Sequence, residues 1–239
     1  MRAMDGPAFE ILHESAACLA VGKPPGLLTQ APPGIDSLEV RVKAYLRDHC
    51  GQQSPVYLGV PQRIDRPASG AMVLGKTRRA TRKLAEQFER RAVRKVYWAC
   101  VEGRVAPPGG TWRDYLRKVP DEARAEVVEP AHPEARIAVL GYRTLGEGPW
   151  GTSLEIELET GRTHQIRVQA ASRGHPVLGD FQYGASIPFG PPHEDERLRA
   201  IALHSRSLVF QHPKTREPIH VTASLPDEWM ELGPFGNTP

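Results

Sequence analysis

Three short strings gather polar side chains of types that could do chemistry. The first is Arg63-Ile64-Asp65-Arg66-Pro67-Ala68-Ser69-Gly70, an aspartate between two arginines, stiffened by a proline and followed by an apolar run. Positive neighbours lower a carboxyl pKa and keep the group ionised, as a nucleophilic carboxylate requires. A turn-capping aspartate in a structural ion pair would read the same way. The second string is Thr160-Gly161-Arg162-Thr163-His164-Gln165-Ile166-Arg167. It follows an alternating strand pattern and opens a helix, where side chains of fixed direction can converge on one point. Thr163 and Arg167 are four apart and are expected to share a helix face. The plain alternative is a satisfied interior His164 with surface arginines. The third, Lys95-Val96-Tyr97-Trp98, sets Tyr97 on a strand, where it can stack on a base or simply pack.

Other chemistries lack their signatures. Phosphate-cradling GxxxxGK[ST] and GxGxxG loops are absent, and so are HExxH and GxSxG. The nine histidines are scattered along the sequence, so a metal cluster is not expected. Three cysteines (Cys18, Cys50, Cys100) without a CxxC pair argue against a disulfide framework or a structural zinc site. The apolar run Ala16 to Val21 is far too short to span a bilayer, and no signal-peptide pattern precedes it. These features predict a soluble chain of a reducing compartment, with a cytoplasmic location and no membrane partner.

The 239 residues carry 31 Lys+Arg against 28 Asp+Glu, a net charge of +3. That length fits one domain or two closely joined lobes, and the composition is too ordinary for a disordered or fibrous chain. The charge is unevenly spread. From Lys76 to Lys95, nine basic residues face only Glu86 and Glu89, a local +7 that leaves the rest at −4. A basic patch on a mildly acidic body fits a polyanionic partner, although a solvated helix face gives similar runs.

The elements that must position these strings follow from local pattern. Strands are expected at Cys18 to Val21, Ala71 to Lys76, Lys95 to Val101, Ser153 to Glu159, Ala202 to Phe210 and Pro218 to Ala223. Ser37 can cap a helix running to His49. Thr77 can cap a second, with Ala80, Leu84 and Phe88 inward and most basic residues outward. A third helix is expected from Thr163 or His164 to Arg173, ended by a left-handed Gly174. Arg104 to Glu134 reads as turn-rich and polar, and Ser186 to Glu196 as a surface loop. Forty-five Pro and Gly residues, with short strands and helices alternating, predict an α+β fold.

Taken together, the strings resemble those of the RluA-type RNA pseudouridine synthases. The family's H-R-L-D-x-x-T-S-G string stands here as Gln62-Arg63-Ile64-Asp65-Arg66-Pro67-Ala68-Ser69-Gly70, followed by Lys76-Thr77. Its Lys-x-Tyr strand is Lys95-Val96-Tyr97, and its T-G-R-T-H-Q-I-R-V string runs from Thr160 to Val168. G-H-P-x-x-G-D-x-x-Y-G is intact from Gly174 to Gly184, with Leu203-His204-Ser205 and His212-Pro213-Lys214-Thr215 beyond. Lys23-Pro24-Pro25-Gly26 matches the turn after the family's first strand. Gln62, Ile64 and Ala68 depart from the usual His, Leu and Thr; the first two keep hydrogen-bonding capacity and bulk, while Ala68 loses a hydroxyl.

The resemblance implies a pseudouridine synthase fold: a mixed, mostly antiparallel sheet with flanking helices and a central catalytic cleft. It covers residues 10–229, between a loose leader (1–9) and a tail (230–239), with no accessory RNA-binding domain ahead of it. It assigns Asp65 as the catalytic carboxylate, attacking the ribose or abstracting a sugar proton. The N1–C1′ bond breaks, the uracil turns, C5 bonds to C1′ and the C5 proton leaves. Arg167 is expected to pair with Asp65. Tyr97 should lie against the uracil and is the candidate acceptor of the C5 proton. Ile166 and Leu203 should wall the pocket, and Arg63 should fill the space left by the extruded nucleotide, with Arg162 and His164 also binding substrate. Arg78, Arg79, Arg82 and Lys83 are the candidate RNA-backbone contacts. The implied substrate is a uridine of ribosomal or transfer RNA, handled by a monomer without metal or cofactor. An RNA chaperone with a silent site, or an N-glycosidic hydrolase, is the competing reading.

Overall fold

The computed structural model describes residues 9–49 and 55–232. Its elements begin with β1 (Glu10–Glu14), β2 (Cys18–Lys23), α1 (Leu38–His49), β3 (Ser69–Gly75) and α2 (Arg78–Glu89). There follow β4 (Arg94–Glu102), β5 (Gly109–Lys118), β6 (Ala125–Val127), β7 (Arg136–Gly148) and β8 (Gly151–Leu158). The helix α3 (Gln165–Ala171) and the strands β9 (Leu203–Gln211) and β10 (Pro218–Thr222) complete the regular elements. This is the α+β class expected, and the chain divides into two compact units. Among the described residues no helix is long and apolar enough to cross a membrane.

The first unit takes Met1–Arg94 and Ser205–Ser224. Its strands run in the order β1-β2-β3-β9, with β10 on β9; the β1–β2, β2–β3 and β9–β10 pairs are antiparallel. Alternate residues of β2, β3 and β9 point to one face, where Cys18, Ala20, Ala71, Val73, Leu208 and Phe210 meet Leu84 of α2. The helix begins as its sequence predicts: Thr77 Oγ1 accepts the Ala80 N–H at 3.1 Å. Ala80 and Leu84 are buried, Phe88 packs beside them, and Arg78, Arg79 and Arg82 are exposed. Gly70, with φ +116°, closes the catalytic-type string because a Cβ there would lie 2.3 Å from the Ser205 carbonyl oxygen.

The second unit takes Lys95–His204 and Leu225–Pro239, with strand order β4-β8-β7-β5-β6, antiparallel throughout. The alternation read in β8 holds at its core: Leu154 and Ile156 are fully buried while Glu157 is exposed. Under β5 and β6, Leu116, Ala125 and Ala138 pack with Val168 of α3. The cluster thus seats the helix against the sheet.

Four expectations need correction. The stretch Arg104 to Glu134 holds all of β5 and β6, and β7 follows directly. Gly109-Gly110 and the charged residues of β5 have little intrinsic strand preference; pairing with β7 from Gly109↔Arg143 to Leu116↔Arg136 makes the strand. The edge strand β1 was not expected either, since its Glu10, Glu14 and bulge at Ile11/His13 blur any alternation. The third helix is shorter than expected, because His164 takes left-handed angles (φ 52°, ψ 26°) and so stands outside it. Thr163 therefore does not share a helix face with Arg167; it is exposed and Arg167 is buried. Finally, residues 230–232 of the expected tail (230–239) are the end of a 3-10 turn over Asp227–Leu232 that buries Trp229 and Leu232. Most of the expected leader (1–8), Cys50 and the rest of the tail (233–239) lie outside the described residues.

Candidate active site

In the first unit, the Asp65 loop is fastened to the turn that follows β2. Thr29 Oγ1 donates to the Ile64 carbonyl at 2.9 Å and accepts the Ile64 N–H at 3.2 Å. Arg66 Nε donates to the Gly26 carbonyl at 3.0 Å, and Lys23 Nζ donates to the Arg66 carbonyl at 3.2 Å. The Asp65 carbonyl accepts the Ala68 N–H at 3.1 Å, closing a reverse turn through Arg66-Pro67. Bonds on both flanks of Asp65 thus fix its backbone, which is the precondition for a side chain that must meet a reacting atom in one geometry. Asp65 is half-buried, Arg63 exposed and Ile64 buried. Gln62, which replaces the family's histidine, has a buried Nε2 without a hydrogen-bond partner among the described residues.

Lys23 is the unexpected member. It is 1% exposed, and its three N–H groups serve the carbonyls of Pro24, Leu27 and Arg66. Burial pulls its pKa down from 10.5 to about 7, while the negative charge of Asp65 opposes the shift. Between about pH 7 and 10.5 the unfolded chain therefore holds more protons at this residue than the folded one, so stability rises with pH across that window. Lys23→Met lacks this linkage. The pH dependence of the urea midpoint between pH 7 and 10 should be less positive in Lys23→Met than in the wild type, and identical slopes would remove Lys23 as its source.

In the second unit, the Thr160–Arg167 string is tied to β7. Thr160 Oγ1 accepts the Val139 N–H at 2.8 Å and donates to Gln165 Oε1 at 2.7 Å, while Gln165 Nε2 donates to the Val139 carbonyl at 3.1 Å. Arg162 Nε donates to the Ile137 carbonyl at 2.9 Å. So Arg162, expected to bind substrate, spends its Nε on the fold, and Gln165 acts as a structural clamp. His164 is half-buried, with Nδ1 2.9 Å from the Tyr183 hydroxyl.

Arg167 is held by a residue to which the sequence reading gave no role. Its Nε and Nη2 fork onto the two oxygens of Asp180 at 2.6 and 2.7 Å, and Nη2 also donates to Gln182 Oε1 at 2.8 Å. Its guanidinium carbon stands 4.9 Å from the centre of the Tyr183 ring. Both charged side chains are almost wholly buried, which makes the fork geometry decisive. Asp180 and Tyr183 both belong to the Gly174–Gly184 string, so the signal was present; only the tertiary pairing shows their use. Tyr97 on β4 is half-buried, and Ile166 and Leu203 are 4% and 5% exposed.

The fold also regroups residues that the sequence leaves scattered. His13, Cys18 and His212, all in the first unit, bring potential ligand atoms within 4.8 Å of one another.

The string around Asp65, with its three departures, and the intact string that ends at Arg167 both belong to an RNA-modifying isomerase. The profile described as RNA pseudouridylate synthase matches residues 17–172, and the chain belongs to that family. It is 32% identical to the ribosomal large subunit pseudouridine synthase D of Xylella fastidiosa, over 94% of this chain and 68% of that one. It is 31% identical to the tRNA pseudouridine synthase C of Salmonella typhi, over 94% of this chain and 88% of that one. The fold matches the human RNA pseudouridylate synthase domain containing 4 with a TM-score of 0.75 at 22% identity, covering 92% of this chain and 90% of that one.

Proposed function

We propose that this chain converts specific uridines of structured ribosomal or transfer RNA to pseudouridine, with Asp65 as the catalytic carboxylate. The observation that carries the reading is the Asp65 loop itself. Thr29, Gly26 and Lys23 immobilise it on both flanks, in a chain that belongs to this family. The carboxylate opens the reaction at the ribose or takes a sugar proton. The N1–C1′ bond then breaks, the uracil turns, C5 bonds to C1′, the C5 proton is lost and N1 takes one up, so atoms balance with no co-reactant. Tyr97 lies against the uracil and is the candidate acceptor of that proton. Arg167 supports the ionised carboxylate, Ile166 and Leu203 give the base a dry wall, and Arg63, Arg162 and His164 hold the nucleotide. Extruding the uridine from its stack costs roughly a few kcal/mol, offset by these contacts. The proposal includes action as a cytoplasmic monomer, with no metal or cofactor in the reaction.

The basic helix supports RNA as the partner. Arg78, Arg79, Arg82 and Lys83 crowd the N-terminal half of α2, and its first turn contains no acidic residue. Cations there oppose the helix dipole and destabilise the helix in the free protein, a cost that phosphates would reverse. Replacing all four by Gln should weaken RNA binding and flatten its salt dependence, lowering the slope of log K against log salt by roughly 3. An unchanged slope would move the RNA path off this helix.

The direct test incubates purified protein with ribosomal and transfer RNA transcripts and maps pseudouridine by mass spectrometry and base-specific chemistry. Site-specific pseudouridine in either RNA is the expected result. RNA binding without product would favour the silent chaperone, and release of free uracil would favour a hydrolase.

A further inference from the structure

Two hairpin turns of the first unit meet at a cluster on which the proposed isomerisation makes no demand. The β1–β2 turn brings His13, Ser15 and Cys18; the β9–β10 turn brings His212 and Thr215. We propose that His13, Cys18 and His212 form a binding site for a borderline-soft divalent cation of the zinc type, which staples these two turns together. Two imidazoles and one thiolate are a donor set for such a cation and not for magnesium or calcium.

Two observations support the site besides the shared 4.8 Å sphere. The Nε2 atom of His13 is buried yet has no hydrogen-bond partner among the described residues, a condition a cation would relieve. Cys18 is a free, fully buried thiol. Ordinary core packing accounts for Cys18 but leaves the orphan nitrogen of His13 unexplained.

Proton bookkeeping is consistent. Nδ1 of His212 accepts the Thr215 N–H at 3.0 Å, so its proton sits on Nε2, 3.1 Å from Ser15 Oγ. For Nε2 to ligate, that proton moves to Nδ1. Thr215 Oγ1, 3.1 Å away, can accept it while donating to Glu217 Oε2 at 2.9 Å. This carboxylate-backed support is of the kind that metal-bound histidines use, and it replaces the hydrogen bond lost from the Thr215 amide. The Cys18 thiol proton leaves to solvent on binding. A fourth position is left for water.

The site is remote from the candidate catalytic carboxylate. Cys18 and Lys23 are the two ends of β2, roughly 16 Å apart at the usual rise, and Lys23 is the end that holds the carbonyl of Arg66, next to Asp65. Its occupation should therefore leave isomerisation untouched.

Metal-free full-length protein titrated with Co²⁺ provides the test. The expected result is one cobalt per chain, with a thiolate-to-cobalt charge-transfer band in the near ultraviolet, displaced by Zn²⁺. Cys18→Ser should abolish the band, His13→Gln should weaken zinc binding at least tenfold, and Cys100→Ser should change neither. Zn²⁺ should raise the thermal midpoint of the wild type and not that of Cys18→Ser. No band with an unchanged midpoint, or a band that survives Cys18→Ser, overturns the site. His13→Gln decides the matter in the same way should Cys18→Ser not fold.

Discussion

Asp65→Asn is expected to lower isomerisation by at least about 10⁴-fold while leaving fold and RNA affinity unchanged. The substitution keeps size and shape. The bonds given above for the loop run through the Ile64, Asp65 and Arg66 backbone and through Thr29, Lys23 and the Arg66 side chain, and an amide at position 65 leaves them in place. What disappears is a full negative charge and a nucleophile or base, neither of which an amide can replace. The change also removes the negative charge that holds the Lys23 pKa up, so that pKa should fall further below about 7. A single-turnover assay with RNA-binding and melting controls checks this. Turnover near the wild-type rate would exclude Asp65 from the chemistry and with it the proposed mechanism.

Arg167→Lys should be the second most damaging change, costing about 2–4 kcal/mol of stability and at least roughly 100-fold in activity. A lysine keeps the charge but offers one point where Asp180 meets a planar fork. It also gives up the Gln182 contact and the face-on approach to Tyr183. Asp180 is 1% exposed on its side chain, so the unsatisfied oxygen cannot turn to water. Asp180→Asn, which keeps one acceptor, should fall between the two. Urea unfolding of both variants, with activity measured where each remains folded, separates lost stability from lost catalysis. Full activity in folded Arg167→Lys would make Asp180–Arg167 a structural pair only.

The family's strings were legible because they are contiguous, and so were elements with short-range signals. The Thr77 cap, the left-handed Gly174 (φ +79°) after α3 and the alternation of Leu154 and Ile156 all appear where the sequence puts them. Each depends on residues within four positions of one another, which is the range over which capping and periodicity act.

The sequence by itself therefore determined the class of fold, the family and the residues offered for its chemistry. Tertiary structure decided what those residues lean on. Asp180 lies 13 positions from Arg167, Thr29 lies 35 from Ile64, and His212 lies 197 from Ser15. No local pattern encodes such partners, because hydrogen bonds and ion pairs form between groups that the folded sheet brings together. The same reason hid β5, whose glycines and charges form a strand only because β7 lies alongside to pair with it.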